Sequence, residues 1–375
     1  MKDLINKLKV QKANSKLSLD VKISVSDISI VKNKSLESLS QEAGWQIDMF
    51  DFPEVWRETK GKGVKVAVLD TGVAENHPDL EIKKSMDFVG IGSTSWWDAE
   101  NEKVIAPDID YSSYTPTHSH ATHVSGIIGA KDNDLGMIGV APECDIYALR
   151  VLNDSGSGSY TDISIALLWC LYNEDIDVIN MSLGGLYGNE DLWGTLKLLY
   201  DNEIPVIVSA GNEYYDPEYR GYIGFPAQYD ETISVAAIDQ NSERAYFSSV
   251  GPNLDVAAPG VGILSSVLGD TYAAMSGTSM AAPFVTGLVA LMIAKHRLVG
   301  GKTPLDTVEG IRSHLNKIAM DDSVFENRDI YLGWGIVNIN RAIAIIKEEE
   351  KPKTPFGRYY GGAIISYNDR PWELR

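Results

Sequence analysis

The chain has 375 residues and a formal net charge of −19, with 33 Lys and Arg against 52 Asp and Glu. This length is sufficient for one large domain with a substantial core and extensions. The negative charge argues against nucleic acid and anionic membrane surfaces as partners, because both attract basic proteins. Cys144 and Cys170 are the two cysteines, and we expect buried thiols rather than a disulfide.

The N-terminal part of the chain differs in character from the rest. Met1 to Lys12 is charged throughout and lacks the apolar segment of a secretory signal, which favours a cytoplasmic location. Apolar and polar residues alternate from Leu17 to Val25, which predicts a half-buried strand lying along the domain or across its cleft. The Ser-, Lys- and Glu-rich segment from Asn33 to Glu42 is typical of a linker. The sequence shows no run of ~18 apolar residues, which is the length that would predict a membrane span.

From Val64 onward, apolar strands alternate with helices. Strands are predicted at Val64–Leu69, Ile146–Val151, Val178–Met181, Val206–Ser209 and Thr232–Ala236, and helices at Thr122–Gly129, Tyr160–Asn173, Leu192–Asn202 and Phe284–Ala294. This alternation predicts an α/β fold with a mostly parallel central sheet and helices on both faces. In such folds the chemistry collects at the carboxyl ends of the strands.

Two strand ends carry candidate functional side chains. Asp70 directly follows the first predicted strand, either as a functional carboxylate or as the cap of a turn. Asn212 follows the strand that ends at Ser209, next to a glycine. A side-chain amide in this position is a candidate donor to an oxyanion.

Three of the six histidines lie within six positions, at His118, His120 and His123. Histidine changes charge near neutral pH, as a general base must. Two other interpretations stay open at this point. The first is that any one of these histidines has only a structural role. The second is that His120 and His123, which lie one helical turn apart, bind a metal ion.

Ser279 stands at the start of a long apolar helix, within the run Gly277–Pro283. Backbone N–H groups and the helix dipole favour negative charge at such a position. A serine that attacks a carbonyl group generates an oxyanion there. The simpler interpretation is a helix N-cap.

The sequence resembles the subtilisin-like serine proteases, the subtilases. The matching motifs are Val66–Gly72, His120–Gly126, Asn180–Gly185, Ser209–Glu213, Phe247–Pro252, Val256–Gly260, Gly277–Pro283 and, more weakly, Gly335–Asn338. The order Asp, His, Ser is itself known for subtilisin. The resemblance implies a three-layer subtilisin-like catalytic domain at residues 45–347, a tail at 348–375, and an extension at 1–44 that would be a short pro-segment.

This resemblance implies a serine endopeptidase that cuts extended polypeptides through an acyl-enzyme. Ser279 resembles the nucleophile, His120 the general base and Asp70 the group that orients the imidazole. Asn212 and the Ser279 N–H would bind the oxyanion. His118 stays open as an alternative base, and Ala121 stands where the family usually has glycine. The remaining alternatives are a protease that processes itself or a single partner, and a non-catalytic binding protein on the same fold.

The resemblance also implies how substrate binds. Two backbone edges would hold an extended peptide by strand addition, one at Ser182, Leu183 and Gly184 and the other at Gly156, Ser157 and Gly158. Gly224 resembles the floor of the pocket for the residue before the cut, with room for an aromatic or long aliphatic side chain. Glu213 at the rim would favour a basic group.

Structural Ca²⁺ is the cofactor that the resemblance implies. Asp79, Asn133 and Gln41 would give side-chain oxygens, and Lys131, Leu135 and Met137 would give carbonyl oxygens. A flexible set of oxygen ligands is what this ion prefers. The alternative is an ordinary polar Asn-Asp turn.

Overall fold

The computed structural model describes residues 23–24, 28–35, 41, 44–91, 97–98, 103–104, 115–215, 221–300, 304–319 and 328–346. The predicted tail at 348–375 and most of the extension at 1–44 lie outside the described residues, as does most of the segment between Ile91 and Thr115.

Strands and helices alternate along the described residues. The strands are β1 (Ile23–Ser24), β2 (Ile28–Ser35), β3 (Lys65–Asp70), β4 (Ile82–Asp87), β5 (Trp97–Asp98), β6 (Lys103–Val104), β7 (Asp145–Arg150), β8 (Ser157–Gly158), β9 (Val178–Met181), β10 (Val206–Ser209), β11 (Ile233–Ile238), β12 (Val256–Pro259), β13 (Ile263–Val267) and β14 (Thr271–Ser276). The α-helices are α1 (Trp45–Asp48), α2 (Phe52–Glu58), α3 (His120–Gly129), α4 (Tyr160–Asn173), α5 (Glu190–Asp201), α6 (Thr278–Val299), α7 (Val308–Ala319) and α8 (Ile339–Ala344).

Seven strands form the central sheet in the order β12-β11-β10-β9-β3-β7-β4. Every neighbouring pair is parallel. The interior strands are apolar and buried, as expected for a parallel sheet covered on both faces. The predicted mostly parallel sheet is confirmed.

Helices cover both faces of this sheet, so the molecule has three layers. Successive side chains of a strand point to opposite faces, and β3 shows the result. Val66 and Val68 join the core that includes residues of α3 and α6. Ala67 and Leu69 join the core that includes residues of α4 and α5. The predicted three-layer α/β fold is confirmed.

Helix α6 runs through the interior. It is long and apolar enough to cross a membrane, but 94% of its most apolar window is buried inside the protein. Phe284 within this helix is fully buried and its ring lies 5.6 Å from that of Phe50. The helix is therefore a core element.

Smaller sheets surround the centre. Antiparallel sheet β13-β14-β2 includes the N-terminal extension, and β1 pairs with β8. The predicted linker at Asn33–Glu42 is wrong at its start, because Asn33 to Ser35 pair with β14. The preceding β-branched residues and the available edge of β14 override the polar composition. Of the strand predicted at Leu17–Val25, Ile23–Ser24 is strand and the rest lies outside the described residues.

The two cysteines are free and buried, as predicted. Burial raises the pKa of the Cys144 thiol to about 12 and raises that of Cys170 as well. Both thiols are therefore inert at neutral pH.

Candidate active site

Asp70 and His120 meet at the carboxyl end of β3. Asp70 ends the strand and His120 begins α3. The His120 Nδ1 atom lies 2.9 Å from Asp70 Oδ1 and 2.8 Å from Oδ2, and both side chains are almost fully buried. Asp70 Oδ1 also accepts the Thr71 backbone N–H at 2.6 Å. Since an ionised carboxylate only accepts hydrogen bonds, Nδ1 carries the proton and Nε2 is the basic atom of the imidazole.

The other two histidines of the cluster have different surroundings. His118 Nδ1 accepts the backbone N–H of His120 at 3.2 Å. His123 Nε2 lies 3.0 Å from the carbonyl oxygens of both Ile263 and Ala273, and burial lowers its pKa to about 3. His123 therefore stays neutral and ties α3 to β13 and β14. His120 Nδ1 already contacts Asp70 and His123 Nε2 contacts these two carbonyls, so the geometry does not favour a His120–His123 metal pair. Within the described ranges, no group of three His, Cys, Asp or Glu side chains is placed to hold a metal ion.

Ser279 lies at the start of α6, and Pro283 follows it one helical turn later. Pro283 has no N–H, so it cannot donate to the Ser279 carbonyl as a helix residue at that position would. The Ser182 hydroxyl donates to this carbonyl instead, at 2.9 Å, and itself accepts from Asn180 Nδ2 at 3.0 Å. Ser279 Oγ lies 3.4 Å from the Ser182 carbonyl oxygen. The end of β9 thus holds the helix start, and the Ser182 side chain lies beneath Ser279.

The Asn212 amide is oriented by Thr278. Its Oδ1 accepts from the Thr278 backbone N–H at 2.9 Å and from the Thr278 hydroxyl at 3.1 Å. The same hydroxyl accepts the Gly211 N–H at 3.0 Å. With Oδ1 engaged, Nδ2 is the donor that Asn212 presents to the pocket. This role of Thr278 was not predicted, although its hydroxyl directly precedes the serine in the Gly277–Pro283 motif.

Asn212 and Ser279 line one pocket together with four of the eight predicted substrate residues, Leu183, Gly184, Glu213 and Gly224. The pocket encloses about 320 Å³, open to solvent, and is lined by Leu183, Gly184, Gly185, Ser209, Ala210, Gly211, Asn212, Glu213, Gly224, Thr278 and Ser279. A Cβ atom on Gly224 would lie 2.9 Å from the Gly185 carbonyl oxygen, so a side chain does not fit there. The next peptide bond, Phe225–Pro226, is cis.

Glu213 lies at the pocket but its carboxylate turns back onto the main chain. Its Oε2 accepts the Asn212 backbone N–H at 2.6 Å, and its own backbone N–H donates to the Ser249 hydroxyl at 3.2 Å. The carboxylate therefore holds the loop that carries Asn212, an arrangement that the sequence did not predict.

The second predicted substrate edge pairs with the chain's own N-terminal extension. Ser157 and Gly158 form β8, and they pair antiparallel with Ser24 and Ile23. Gly156 precedes them with a φ of +71°, a conformation that glycine adopts without strain. The edge is thus able to accept an extended strand.

The residues of the predicted calcium loop also lie together. Gln41 Nε2 donates to the Lys131 carbonyl at 2.8 Å, and its Oε1 accepts from the Asp134 N–H at 3.3 Å. The Lys131 N–H donates to the Asp79 carbonyl at 2.8 Å. Asn133 Oδ1 accepts the Leu135 N–H at 3.1 Å.

The Asp79 carboxylate is fully buried and only partly satisfied. Its Oδ2 accepts the Met137 N–H at 3.0 Å, whereas its Oδ1 has no hydrogen-bond partner among the described residues. Burial raises the pKa of this carboxyl to about 6, although the Met137 N–H, Tyr272, Asn133 and Lys131 all act to lower it. A buried, unsatisfied carboxylate oxygen beside a loop of oxygen donors fits a bound cation.

The sequence model of the subtilase family matches residues 61–335 of this chain. The chain belongs to the subtilase family. Subtilisin DY from Bacillus licheniformis is 38% identical over 285 residues, which cover 76% of this chain and 92% of that protein. Subtilisin NAT from Bacillus subtilis subsp. natto is 38% identical over 282 residues, covering 75% and 66%. An intracellular serine protease from Paenibacillus polymyxa is 40% identical over 246 residues, covering 66% and 71%. The protein is therefore a serine endopeptidase that acts on polypeptides.

Proposed function

We propose that Ser279, His120 and Asp70 perform this hydrolysis as a catalytic triad. His120 Nε2 takes the proton from Ser279 Oγ as the oxygen attacks the scissile carbonyl carbon. The imidazolium then gives this proton to the leaving amine, and water repeats the sequence on the acyl-enzyme. The observation that supports this assignment is the buried contact of His120 Nδ1 with both oxygens of Asp70, because it fixes the tautomer in which Nε2 is a base.

Asn212 Nδ2 and the Ser279 backbone N–H stabilise the oxyanion of the tetrahedral intermediate. Both belong to a rigid environment, since Thr278 holds the Asn212 carbonyl oxygen and Ser182 holds the Ser279 carbonyl. Donors that are already aimed at the developing charge need no reorganisation during the reaction. The positive end of the α6 dipole adds to this field.

Substrate binds as an extended strand between two edges, Ser182–Gly184 and Gly156–Gly158. The pocket above Gly224 takes the side chain before the cut, with a preference for large apolar groups. The engagement of Glu213 with the Asn212 N–H reduces its ability to select basic residues, because its charge is already partly compensated.

A structural Ca²⁺ ion binds at Asp79, with side-chain oxygens from Asn133 and Gln41 and carbonyl oxygens from Lys131, Leu135 and Met137. The unsatisfied, buried Asp79 Oδ1 supports this proposal. The ion would compensate the charge of the carboxylate and fix the loop that precedes β7; the reaction itself needs no step through it.

The domain boundaries that we propose are an extension at 1–44, a catalytic domain at 45–347 and a tail at 348–375. The intracellular relative from Paenibacillus polymyxa supports a cytoplasmic location. The pairing of β1 with β8 favours a second candidate, a protease whose first substrate is its own N-terminal extension.

Labelling with a serine-directed fluorophosphonate tests the triad. We expect the wild-type protein to be labelled and Ser279→Ala to remain unlabelled with an unchanged circular dichroism spectrum. The matched control is Ser164→Ala, which removes a buried serine hydroxyl of α4 that does not line the pocket. Labelling of Ser279→Ala at the wild-type rate would refute the assignment.

A further inference from the structure

Strand β14 leads directly into the proposed nucleophile. It ends at Ser276, three residues before Ser279. One of its edges pairs with β13, from Thr271 opposite Val267 to Met275 opposite Ile263. Among the described strands, β2 of the N-terminal extension covers the other edge. Without β2, this edge would present unpaired backbone groups beside the nucleophile.

The direction of β2 matches that of a substrate leaving the cut. Ile28 lies opposite Ser276, and Ser35 lies opposite Thr271. The chain therefore moves away from the nucleophile as it runs from its N-terminal to its C-terminal end. A polypeptide under cleavage would do the same with the residues that follow its scissile bond.

The extension reaches β14 from the other side of the cleft. Ile23 and Ser24 pair with β8, the proposed edge for residues before the cut. Ser24 and Ile28 are four residues apart, which corresponds to a span of at most about 14 Å. The same short segment thus connects the edge used before the cut with the edge that continues after it.

The two edges hold the extension very unequally. Two residues pair with β8, whereas the eight-residue strand β2 pairs with β14 from Thr271 to Ser276. Backbone pairing supplies affinity without requiring a particular sequence. The longer paired segment is therefore on the side that would hold the residues after the scissile bond.

We propose that the outer edge of β14 is a strand-addition site for about eight residues on the C-terminal side of the scissile bond. Its ligand is an extended polypeptide with free backbone amides, and residues 28–35 of this chain are its resident occupant. Substrates reach the site only after this strand is displaced. The inference rests on the proposed function, since it takes Ser279 as the point of cleavage.

The test uses Val31→Pro in the full chain. Val31 lies opposite Ala274, between two irregularities of the pairing, and proline both removes its N–H and restricts its backbone conformation. Val31→Ala, which keeps the N–H, is the matched control. Two peptides with the same residues before the cut, and either two or eight residues after it, are hydrolysed by each protein.

In Val31→Pro we expect kcat/KM for the long peptide to exceed that for the short one by about tenfold, because added backbone pairs strengthen binding. In the wild type and Val31→Ala we expect a ratio near one, since β2 blocks the edge. A ratio near one in all three proteins, with both peptides hydrolysed, would overturn the inference. Failure of the triad assignment gives a different result, since Ser279→Ala would then retain hydrolysis.

Hydrogen exchange gives a second measurement that does not depend on turnover. The serine is first blocked with fluorophosphonate, and exchange is followed at the amides of residues 271–276. We expect faster exchange in Val31→Pro than in Val31→Ala, and restored protection when a blocked peptide of residues 28–35 is added. Slow exchange within α6 verifies that the variant is folded. Unrestored exchange at saturating peptide would contradict strand addition at β14.

Discussion

Two buried carboxylates in this protein have opposite surroundings. Asp70 contacts His120 through both oxygens and also accepts the Thr71 N–H. Asp79 uses one oxygen for the Met137 N–H, and its other oxygen has no hydrogen-bond partner within the described part of the chain. Protein groups alone supply partners for both oxygens of Asp70, whereas the surroundings of Asp79 fit an added cation.

This difference separates catalysis from stability. Changes around Asp70 and the oxyanion donors should lower turnover and leave the fold intact. Changes around Asp79 should lower stability and leave turnover at moderate temperature intact. Any variant that affects both properties equally would weaken the distinction.

The largest effect is expected for Asp70→Asn. The amide cannot stabilise the imidazolium and favours the wrong tautomer of His120, so kcat should fall by roughly 10⁴-fold, the loss known for the same change in chymotrypsin-like triads. Initial rates on a peptide substrate measure this loss, and the thermal midpoint serves as the control. If Asp70 were only the cap of a turn, kcat would change by less than about tenfold.

A smaller loss is expected for Asn212→Ala. Removal of one oxyanion donor typically lowers kcat by about 10²–10³-fold. KM should stay close to the wild-type value, because the interaction forms mainly in the transition state. Steady-state kinetics separate the two parameters. A rise in KM with unchanged kcat would mean that Asn212 binds substrate rather than the oxyanion.

A third variant, Thr278→Val, tests whether turnover depends on the hydroxyl that orients the Asn212 amide. Valine removes the hydroxyl that joins Gly211 N–H to Asn212 Oδ1 but keeps the backbone N–H. We expect kcat to fall by about tenfold, because the amide keeps one of its two donors. Thr195→Val removes a buried hydroxyl that bonds to Asp191 within α5 and should leave kcat unchanged. A combined Thr278→Val and Asn212→Ala variant should be no slower than Asn212→Ala alone.

The sequence was sufficient for the elements whose pattern is local. The strand Val178–Met181 and the helix Tyr160–Asn173 have the predicted bounds. The strand is a short buried, mostly apolar run, and the structure shows that the Ser159 side chain caps the start of the helix. Asp70 and His120, which the motifs single out, lie within hydrogen-bond distance of each other.

Contacts between distant parts of the chain were not predictable in this way. The polar segment Asn33–Ser35 reads as a linker, yet it is a strand because the edge of β14 lies beside it. Ser182 was predicted only as part of a backbone edge for substrate, and its hydroxyl makes the hydrogen bond that Pro283 cannot make. In both cases the partner lies many residues away, where no local pattern records it.

The last prediction concerns calcium and pH. Without the ion, burial holds the Asp79 pKa at about 6, above the ordinary value of 3.8. The folded state therefore binds this proton more tightly than the unfolded chain, and its contribution to stability is lost as pH rises through 6. Ca²⁺ binds the ionised carboxylate, so its stabilising effect should grow over the same interval.

We therefore expect a chelator to lower the Tm by about 5 °C more at pH 8 than at pH 5. A change of ~2 kcal/mol in the free energy of unfolding corresponds to a shift of this size in a large domain. Asp79→Asn should remove this pH difference, since the amide does not titrate. Asp132→Asn is the matched control, because Asp132 belongs to the same loop but pairs with Lys60 at the surface. Scanning calorimetry on the active-site-blocked protein avoids self-digestion during heating. An equal effect of chelator on the Tm at both pH values would mean that the ion does not bind at Asp79. The buried carboxylate would then simply lower the stability of the fold.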